Sequence, residues 1–443
     1  MKNGAALLDE LIGRARAAGA DVADAVLVSG TSLSVQRRLG RTEQLERSEA
    51  RDLGLRVFVG QRQAIVSSTT VDPAGFATLA ERAVAMARIV PEDPFAGLAE
   101  GVSNQDWPGL DMDDGQEPAA EALVARASAA EEAALAVAGI TNSEGAEAGY
   151  SRTSVFLATS AGFAGHYTRS SHSVSATALA GEGTSMERDY DYSSAVHLAD
   201  LDDPAALGRE AARRALARLN PTRPKTAKLS VVFDPRVASS LIGHLLGAVN
   251  GSGIVRGTSF LKDSMGQRIF APGIVIRDDP RRVRGMRSRP FDAEGTPTAA
   301  RAIVDDGVLT TWLLDSRCAR QLGLVTTGHA GRGTGSPPSP GPSNVWMEPG
   351  KMTPAELMAD ISEGLYVTEL MGGGANGITG DYSRGAAGFM IRNGALAEAV
   401  SEITIAGKIQ DMFLNLVPAN DLRFRRGTDA PTIRVEGLTM AGA

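Results

Sequence analysis

The first half of the chain alternates between helical periodicity and strand-like alternation of apolar and polar positions. Apolar residues from Leu7 to Ala15 recur at helical spacing, which predicts an opening helix that ends at Gly19. Alternating runs around Val26 and Val35 predict strands, and the run from Leu53 to Val66 predicts a hairpin across a glycine turn. Further helices are predicted over residues 73–88, 118–138 and 204–219, and further strands between residues 151 and 186. These elements indicate a mixed α/β domain.

A proline-containing stretch near the middle of the chain, Asn220 to Lys225, predicts a linker, because two close prolines disfavour both helix and sheet. We therefore place one domain over residues 1–220 and a second over residues 221–443. The second domain opens with a strand and a helix from Pro235 to about Val249, and continues as short strands and glycine turns. We expect a curved or closed antiparallel sheet there, because closure removes open edges. The predicted fold class is α+β, with a mixed α/β N-terminal domain and a β-rich, barrel-like antiparallel C-terminal domain.

Composition narrows the class of protein. Apolar residues make up 43% and charged residues 22% of the 443 residues, which is typical of a soluble globular protein. The net charge of −7, from 45 basic and 52 acidic residues, argues against binding to nucleic acid. No apolar run approaches the ~18 residues that a membrane span needs, so we expect no membrane association. A single cysteine, Cys318, and the lack of a signal peptide favour the cytoplasm.

Motifs for self-sufficient catalysis are weak. None of the five histidines is followed by glutamate, and no two lie four residues apart, so the spacing that supplies two zinc ligands from one helix is missing. The glycines from Gly372 to Gly377 fit a dinucleotide-binding pattern but do not open a helix. The stretch from Gly328 to Pro342 holds five glycines and four prolines in 15 residues. We expect a long structureless loop there, either a lid or an interface element.

Several stretches together resemble the TldD/PmbA family, specifically its PmbA (TldE) branch. They are Arg51 to Gly60, Gly181 to Tyr190, Thr327 to Ala330, Gly364 to Leu370, Ile378 to Phe389 and Val400 to Gly407. The resemblance covers nearly the whole chain and implies the α/β and barrel-like domains described above. It also implies a heterodimer of a TldD subunit and a PmbA/TldE subunit, which acts as a zinc metallopeptidase on unfolded peptides.

The resemblance further implies where the metal belongs. The TldD branch carries H-E-x-x-x-H on a C-terminal-domain helix, and the equivalent stretch here is Gly243 to Val249. Only His244 matches, since the glutamate falls at Leu245 and the second histidine at Val249. We therefore expect no catalytic residue, no metal ligand and no cofactor in this chain, with zinc held by the TldD-type partner. We interpret His244 as structural, and the alternatives are an interface contact, a substrate contact or a zinc ligand. Leu241, Leu245 and Val249 share one face of the helix, and we expect that face to be packed.

Two interpretations of the polar segment from Thr379 to Arg384 stay open. It is either a tight turn closed by an Asp381–Arg384 pair or a contact for a peptide backbone or partner subunit, and Glu402 is a possible ion-pair partner of Arg384. The candidate contacts for substrate or partner are His244, His329, Thr379, Asp381, Tyr382, Ser383, Arg384 and Glu402.

The sequence thus predicts the metal-free, non-catalytic subunit of a TldD/TldE-type heterodimeric zinc metallopeptidase that degrades or processes unfolded peptides. Two alternatives belong to other classes. One is a regulatory protein-binding module of the gyrase-modulator type, and the other is a stand-alone metallopeptidase whose site is assembled from scattered His, Asp and Glu.

Overall fold

A six-stranded antiparallel sheet organises the N-terminal part of the chain. The computed structural model describes residues 2–102, 104 and 109–442. The strands of this sheet are β1 (Val22–Arg38), β2 (Arg41–Val59), β3 (Arg62–Ser68), β4 (Ile140–Thr159), β5 (Ala164–Ala180) and β6 (Glu187–Ala195). Their order is β3-β2-β1-β4-β5-β6, and every neighbouring pair is antiparallel.

Helices cover one face of this sheet. They are α1 (Lys2–Ala17), α2 (Phe76–Ile89), α3 (Ala120–Leu135) and α4 (Pro204–Ala217). Leu11 of α1 packs with Leu27 of β1, and Leu123 of α3 packs with Ala148 of β4. Because side chains alternate along a strand, Val26 lies on the opposite face of the sheet from its neighbour Leu27. It packs there with Leu157 and with Phe291 from the C-terminal part of the chain. The sheet therefore lies between its helices and the C-terminal part.

The C-terminal part is built around a closed barrel. Its strands are β7 (Ala227–Phe233), β8 (Ile276–Asp278), β9 (Arg301–Asp305), β10 (Val308–Leu309), β11 (Ala330–Gly331), β12 (Ser339–Pro340), β13 (Val345–Met347), β14 (Glu363–Met371), β15 (Asp381–Arg392), β16 (Ala395–Lys408), β17 (Leu416–Pro418), β18 (Thr428–Asp429) and β19 (Ile433–Ala441). Strands β7, β14, β15, β16 and β19 pair in that order, and β19 pairs back with β7. The β7–β14 pair is parallel and the other four pairs are antiparallel. The predicted α+β class with a β-rich, barrel-like C-terminal part is confirmed.

Short helices and a second sheet complete this part. The helices are α5 (Pro235–Ala248), α6 (Gly251–Val255), α7 (Ser316–Leu322), α8 (Pro354–Met358) and α9 (Ile409–Leu414). Strands β10, β9, β8, β13 and β18 form the second sheet. Leu241, Leu245 and Val249 are buried in one hydrophobic cluster with barrel residues such as Phe233 and Val367. The predicted packed face of α5 is therefore confirmed.

The structure differs from the sequence analysis at two places. Strand β2 begins at Arg41, although the sequence pattern predicts a strand only from Leu53, because the first twelve residues of β2 are exposed or half-buried and show no apolar alternation. Residues 328–342 are not structureless, because β11 and β12 pair there at Ala330 and Pro340. Within the described residues, no helix has both the length and the apolar character needed to span a membrane.

Candidate functional site

A cleft of about 560 Å³ lies between the N-terminal sheet and the barrel. The sheet contributes Thr177 from β5 and the segment Arg188 to Tyr190 from β6. The barrel side contributes the first turns of α5, the end of β14 at Glu369, and Arg384 of β15. This volume is within the range of ~300–1,000 Å³ that is usual for ligand sites, and it lies between two layers, where such sites are common.

Helix α5 is fixed at its start by its own sequence. Pro235 occupies the first turn, and the side chain of Asp234 accepts a hydrogen bond from the backbone N–H of Arg236 at 2.9 Å. The same carboxylate accepts from Nε of Arg236 at 3.1 Å. This capping orients the guanidinium of Arg236 towards β6, where its Nη1 donates to Asp189 at 2.6 Å. Helix α5 is therefore bound to the N-terminal sheet by a nearly buried ion pair.

A second ion-pair group joins the same layers. Arg218, just after α4, reaches Glu369 of β14 at 2.6 Å and lies 3.5 Å from Glu187 of β6. Burial raises the pKa of Glu187 despite the nearby charge of Arg218. Most cleft charges are thus neutralised by partners across the layers. Arg384 differs, because it makes no ion pair with a carboxylate of the described residues and donates only to two backbone carbonyls at 3.4 Å.

Three side chains with unsatisfied polar atoms meet beside α5. The rings of His244 and Tyr382 lie edge to face, with centroids 5.8 Å apart. Nε2 of His244, the hydroxyl of Tyr382 and Nε of Arg384 are buried atoms without a hydrogen-bond partner in the described part of the chain. Burial, and then the charge of Arg384, lower the pKa of His244. Burial raises the pKa of Tyr382, because it disfavours the charged form of this group as well. Both groups are therefore neutral near pH 7.

The outer face of α5 carries two glycines that nothing in the described chain covers. Gly243 and Gly247 lie one turn apart, both exposed, with open space where a Cβ would stand. Glycine costs about 1 kcal/mol relative to alanine inside a helix. Its usual benefit is the close approach of another backbone. His244 lies between them, with Gly374 packed on its ring.

The residues present on α5 do not fit a zinc site. Leu245 and Val249, which stand where the TldD motif has Glu and His, are fully buried in the hydrophobic cluster. His244 is then the single donor, and a catalytic zinc needs about three protein ligands. Arg384 adds a positive charge beside the imidazole, which opposes a second cation. Within the described residues, no group of three or more His, Cys, Asp or Glu side chains is placed to hold a metal.

The segment from Thr379 to Arg384 is not a turn closed by an Asp–Arg pair. Strand β15 begins at Asp381, and the carboxylate of Asp381 accepts instead from the hydroxyl of Thr379 at 2.6 Å. Ser383 is exposed and its backbone N–H donates to Gly374 at 3.3 Å. Alternation along the strand sends Tyr382 into the barrel and its neighbours outward. All eight sequence candidates lie in the described ranges, and of these only Arg384 lines the cleft.

Two further candidates lie elsewhere. Glu402 pairs with Arg223 across an exposed surface and not with Arg384. Its backbone has a φ of 55°, an irregularity within β16. His329 is buried, with Nδ1 2.8 Å from the hydroxyl of Thr327 and Nε2 3.4 Å from Asp278. It belongs to the packing of residues 328–342 and does not contact the cleft.

Sequence reasoning missed the ion pairs that build the cleft. Asp189 falls within a stretch that resembles the family, so that stretch could have indicated it. The Asp234-Pro235 pair signals the start of α5, but Arg236 and Asp189 are 47 residues apart and belong to different layers. No local pattern connects them.

Comparison with known proteins agrees with this architecture. Three consecutive stretches match PmbA/TldA metallopeptidase domains: domain 1 over residues 23–87, the central domain over 113–219 and the C-terminal domain over 226–442. The chain is 38% identical to the metalloprotease PmbA of Escherichia coli O157:H7 over 95% of its own length and 92% of that protein. It is 33% identical to a PmbA homologue of Haemophilus influenzae, with the same coverage.

Solved structures show the same fold. The crystal structure of a protein described as a modulator of DNA gyrase, from Bacteroides thetaiotaomicron, superposes with a TM-score of 0.91 at 27% identity, covering 99% of this chain and 98% of the other. TldE from Thermococcus kodakarensis superposes with a TM-score of 0.88 at 19% identity, covering 98% and 99%. The barrel with its α5 helix, the layered N-terminal sheet and the matches along nearly the whole sequence show that this chain belongs to the PmbA/TldD metallopeptidase family, within its PmbA/TldE branch.

Proposed function

We propose that this chain is the metal-free subunit of a TldD/TldE-type zinc metallopeptidase that acts on unfolded peptides. The observation that carries the proposal is the burial of Leu245 and Val249 in the barrel core. A leucine cannot activate water, and a single imidazole at His244 cannot hold a catalytic zinc. The zinc and its general base therefore come from a second, TldD-type subunit.

The outer face of α5 supports a role in contact with that subunit. Gly243 and Gly247 leave a flat, uncovered helix surface on which a partner backbone can approach closely. His244 and Arg384 beside it carry buried polar atoms that lack partners among the described residues. Burial of unsatisfied polar atoms is costly, so hydrogen bonds from a partner or peptide would remove that cost.

The adjoining cleft supports a role in peptide binding. Arg384 at its wall presents a guanidinium that only weak carbonyl contacts engage. Such a group can bind a peptide carbonyl or a side-chain carboxylate in a two-pronged geometry. The ion pairs of Arg236 and Arg218 hold the two walls in place. This chain would then shape the substrate channel without breaking the peptide bond.

Reconstitution tests the proposal. The purified chain should hold no stoichiometric zinc by elemental analysis and cleave no unfolded peptide. Mixing with a TldD-type subunit should give a complex heavier than the 46.1 kDa chain and produce peptidase activity. The measurements are light scattering after size exclusion and cleavage of a denatured, fluorescently labelled protein.

Each alternative function predicts a different outcome. About one zinc per chain, lost in His244→Ala, would indicate a stand-alone metallopeptidase. A stable complex with DNA gyrase and no gain of activity on mixing would indicate a regulatory role of the kind for which the Bacteroides protein is named. Either result would reject the proposal.

The substitution Arg384→Lys should lower peptide cleavage by the mixed complex about tenfold, because lysine cannot reproduce a planar two-pronged contact. The melting temperature should not change, since the contacts of Arg384 to carbonyls are long. Arg209→Lys, at an exposed arginine of α4, is the matched control and should keep full activity. Equal activity in both variants would assign Arg384 a structural role.

A further inference from the structure

A second cavity, also of about 560 Å³, lies on the sheet face that turns away from the helices. Strands β1, β4 and β5 form one wall, and the C-terminal segments around residues 287–293 and 331–334 form the other. We call it the arginine pocket, because Arg169, Arg287, Arg289 and Arg332 line it. The two segments of the C-terminal wall are far from α5 in sequence, and the cavity shares no lining residue with the cleft described above.

The floor of the arginine pocket is apolar. Val26 and Leu157 are buried at 5% and 2% exposure, while Val155 and Tyr167 are half-buried and remain accessible. Tyr167 also packs edge to face against Phe291, with ring centroids 5.4 Å apart. A surface of this kind accommodates an aliphatic or aromatic group of a ligand.

The rim of the pocket is cationic, and most of its arginines lack an ion pair within the described chain. Arg332 is engaged, because its Nη1 donates to Asp24 at 2.5 Å. Arg169, Arg287 and Arg289 make no ion pair with any carboxylate of the described residues. Nε of Arg289 is a buried atom without a partner there, and its Nη2 reaches only a backbone carbonyl at 3.4 Å. In the cleft described above, the arginines at positions 188, 218 and 236 are paired with carboxylates, while Arg384 and Arg426 make no ion pair with the described residues.

Two carboxylates also line the pocket, Asp52 and Asp292. Asp292 accepts hydrogen bonds from the backbone N–H groups of Glu294, Thr296 and Ala330, at 2.9, 2.9 and 3.1 Å. Burial, and then the charge of Glu294, raise the pKa of Asp292 to about 7, although backbone hydrogen bonds and the charge of Arg289 oppose the shift. Asp292 is thus fully hydrogen-bonded to backbone and contributes less than a full negative charge near neutral pH. The pocket stays positive.

The walls of the pocket are held in place before any ligand arrives. Thr334 packs directly against Gly54 of β2. A Cβ at position 54 would lie 2.2 Å from the carbonyl oxygen of Thr334. The Arg332–Asp24 pair anchors the same segment at a nearly buried position. A preorganised pocket loses little entropy on binding.

We infer that the arginine pocket binds the C-terminal carboxylate of a peptide that ends in an apolar residue. The carboxylate would lie between the guanidinium groups that lack an ion pair, and the last side chain on the apolar floor formed by Val155, Leu157 and Tyr167. Arginine suits this ligand because its planar fork matches a carboxylate in two-pronged geometry. The inference rests on the proposed function only for the class of ligand, a peptide.

Binding to this chain alone tests the inference without the zinc-bearing subunit. The probe is a fluorescein-labelled hexapeptide that ends in Val-Leu, prepared once with a free carboxylate and once as the C-terminal amide. Fluorescence anisotropy should give a dissociation constant about tenfold lower for the acid than for the amide. Arg169→Gln and Arg289→Gln should each weaken binding of the acid about tenfold and leave that of the amide unchanged. Arg256→Gln, at an exposed arginine that lines neither cavity, is the matched control and should bind like the wild type.

Three outcomes would overturn the inference. They are equal affinity for acid and amide, unchanged affinity in both arginine variants, and displacement of the peptide by octanoate as effective as that by the unlabelled acid peptide. The last would indicate a site for any apolar carboxylate. None of them affects zinc content or activation on mixing, so this inference and the proposed function fail independently.

Discussion

Replacing Asp24 by asparagine should lower the free energy of unfolding by about 3–5 kcal/mol, the largest loss that we expect from a single substitution in this chain. Asp24 of β1 stands directly opposite Arg56 of β2 and accepts from its Nε at 2.8 Å. It also accepts from Arg332 at 2.5 Å. All three side chains are at most 5% exposed. Asparagine would remove the carboxylate charge that both buried guanidinium groups contact directly.

The pH dependence of this loss has a definite sign. Burial by itself would raise the pKa of Asp24, but the charges of Arg332 and Arg56 lower it overall. A carboxyl group whose pKa is lower in the folded than in the unfolded chain stabilises above its unfolded pKa of ~3.9. That contribution is lost as the pH falls through the folded value. The difference between wild type and Asp24→Asn should therefore be full at pH 7 and shrink below about pH 4.

Urea unfolding at several pH values measures both effects. Glu363→Gln is the matched control, because it removes one carboxylate charge from an exposed pair with Arg392. Exposed pairs contribute about 1 kcal/mol or less. A loss for Asp24→Asn as small as that of the control would show that the buried pairs add little to stability.

Installing the missing general base and the second zinc ligand of the motif, Leu245→Glu and Val249→His together, should destabilise the chain by about 3–5 kcal/mol and create no tight zinc site. Both positions are fully buried among apolar side chains, so the new glutamate would be a buried charge without a partner. The helix would have to rotate to expose it, and that would remove Leu241 from the core as well. Thermal unfolding and elemental analysis are the measurements.

The exposed face of the same helix offers a matched control. Gly243→Glu and Gly247→His place the same two residue types where a Cβ meets nothing within 4 Å. Stability should stay the same or rise by up to about 1 kcal/mol, because glycine is a poor helix former. A stable Leu245→Glu/Val249→His double variant that binds about one zinc would contradict the packing argument. It would also weaken the case for a metal-free subunit.

The strands that the sequence predicted are those whose side chains are largely buried. Leu53 to Val59 alternates clearly because it lies between two neighbouring strands and under α2. Arg41 to Asp52 continues the same strand, yet it could not be predicted. Its outer edge has no partner strand among the described residues, and its side chains face solvent on both sides. Without burial, selection for apolar alternation is absent.

In the candidate site, too, some features could be predicted from the sequence and others could not. His244 and its apolar neighbours on α5 could be interpreted from the sequence, since residues three to five apart on a helix have a fixed spatial relation. The role of Glu402 could not, because the choice between Arg223 and Arg384 depends on an irregular backbone position in β16. The interpretation of residues 379–384 as a turn closed by an Asp381–Arg384 pair failed because a strand begins at Asp381, and residues three apart in a strand lie on opposite faces.

The sequence by itself determined the α+β class, the packed face of α5 and the absence of glutamate and histidine at positions 245 and 249, because each depends on short-range periodicity or on residue identity at one position. Only the tertiary structure decided which charges meet. Arg236 and Asp189 are 47 residues apart, and Arg332 and Asp24 are 308 residues apart. Their pairing is set by strand register and by how the two layers pack. Within the described residues, three arginines line a pocket without an ion pair for the same reason, since such a pair forms only where packing brings opposite charges within a few ångströms.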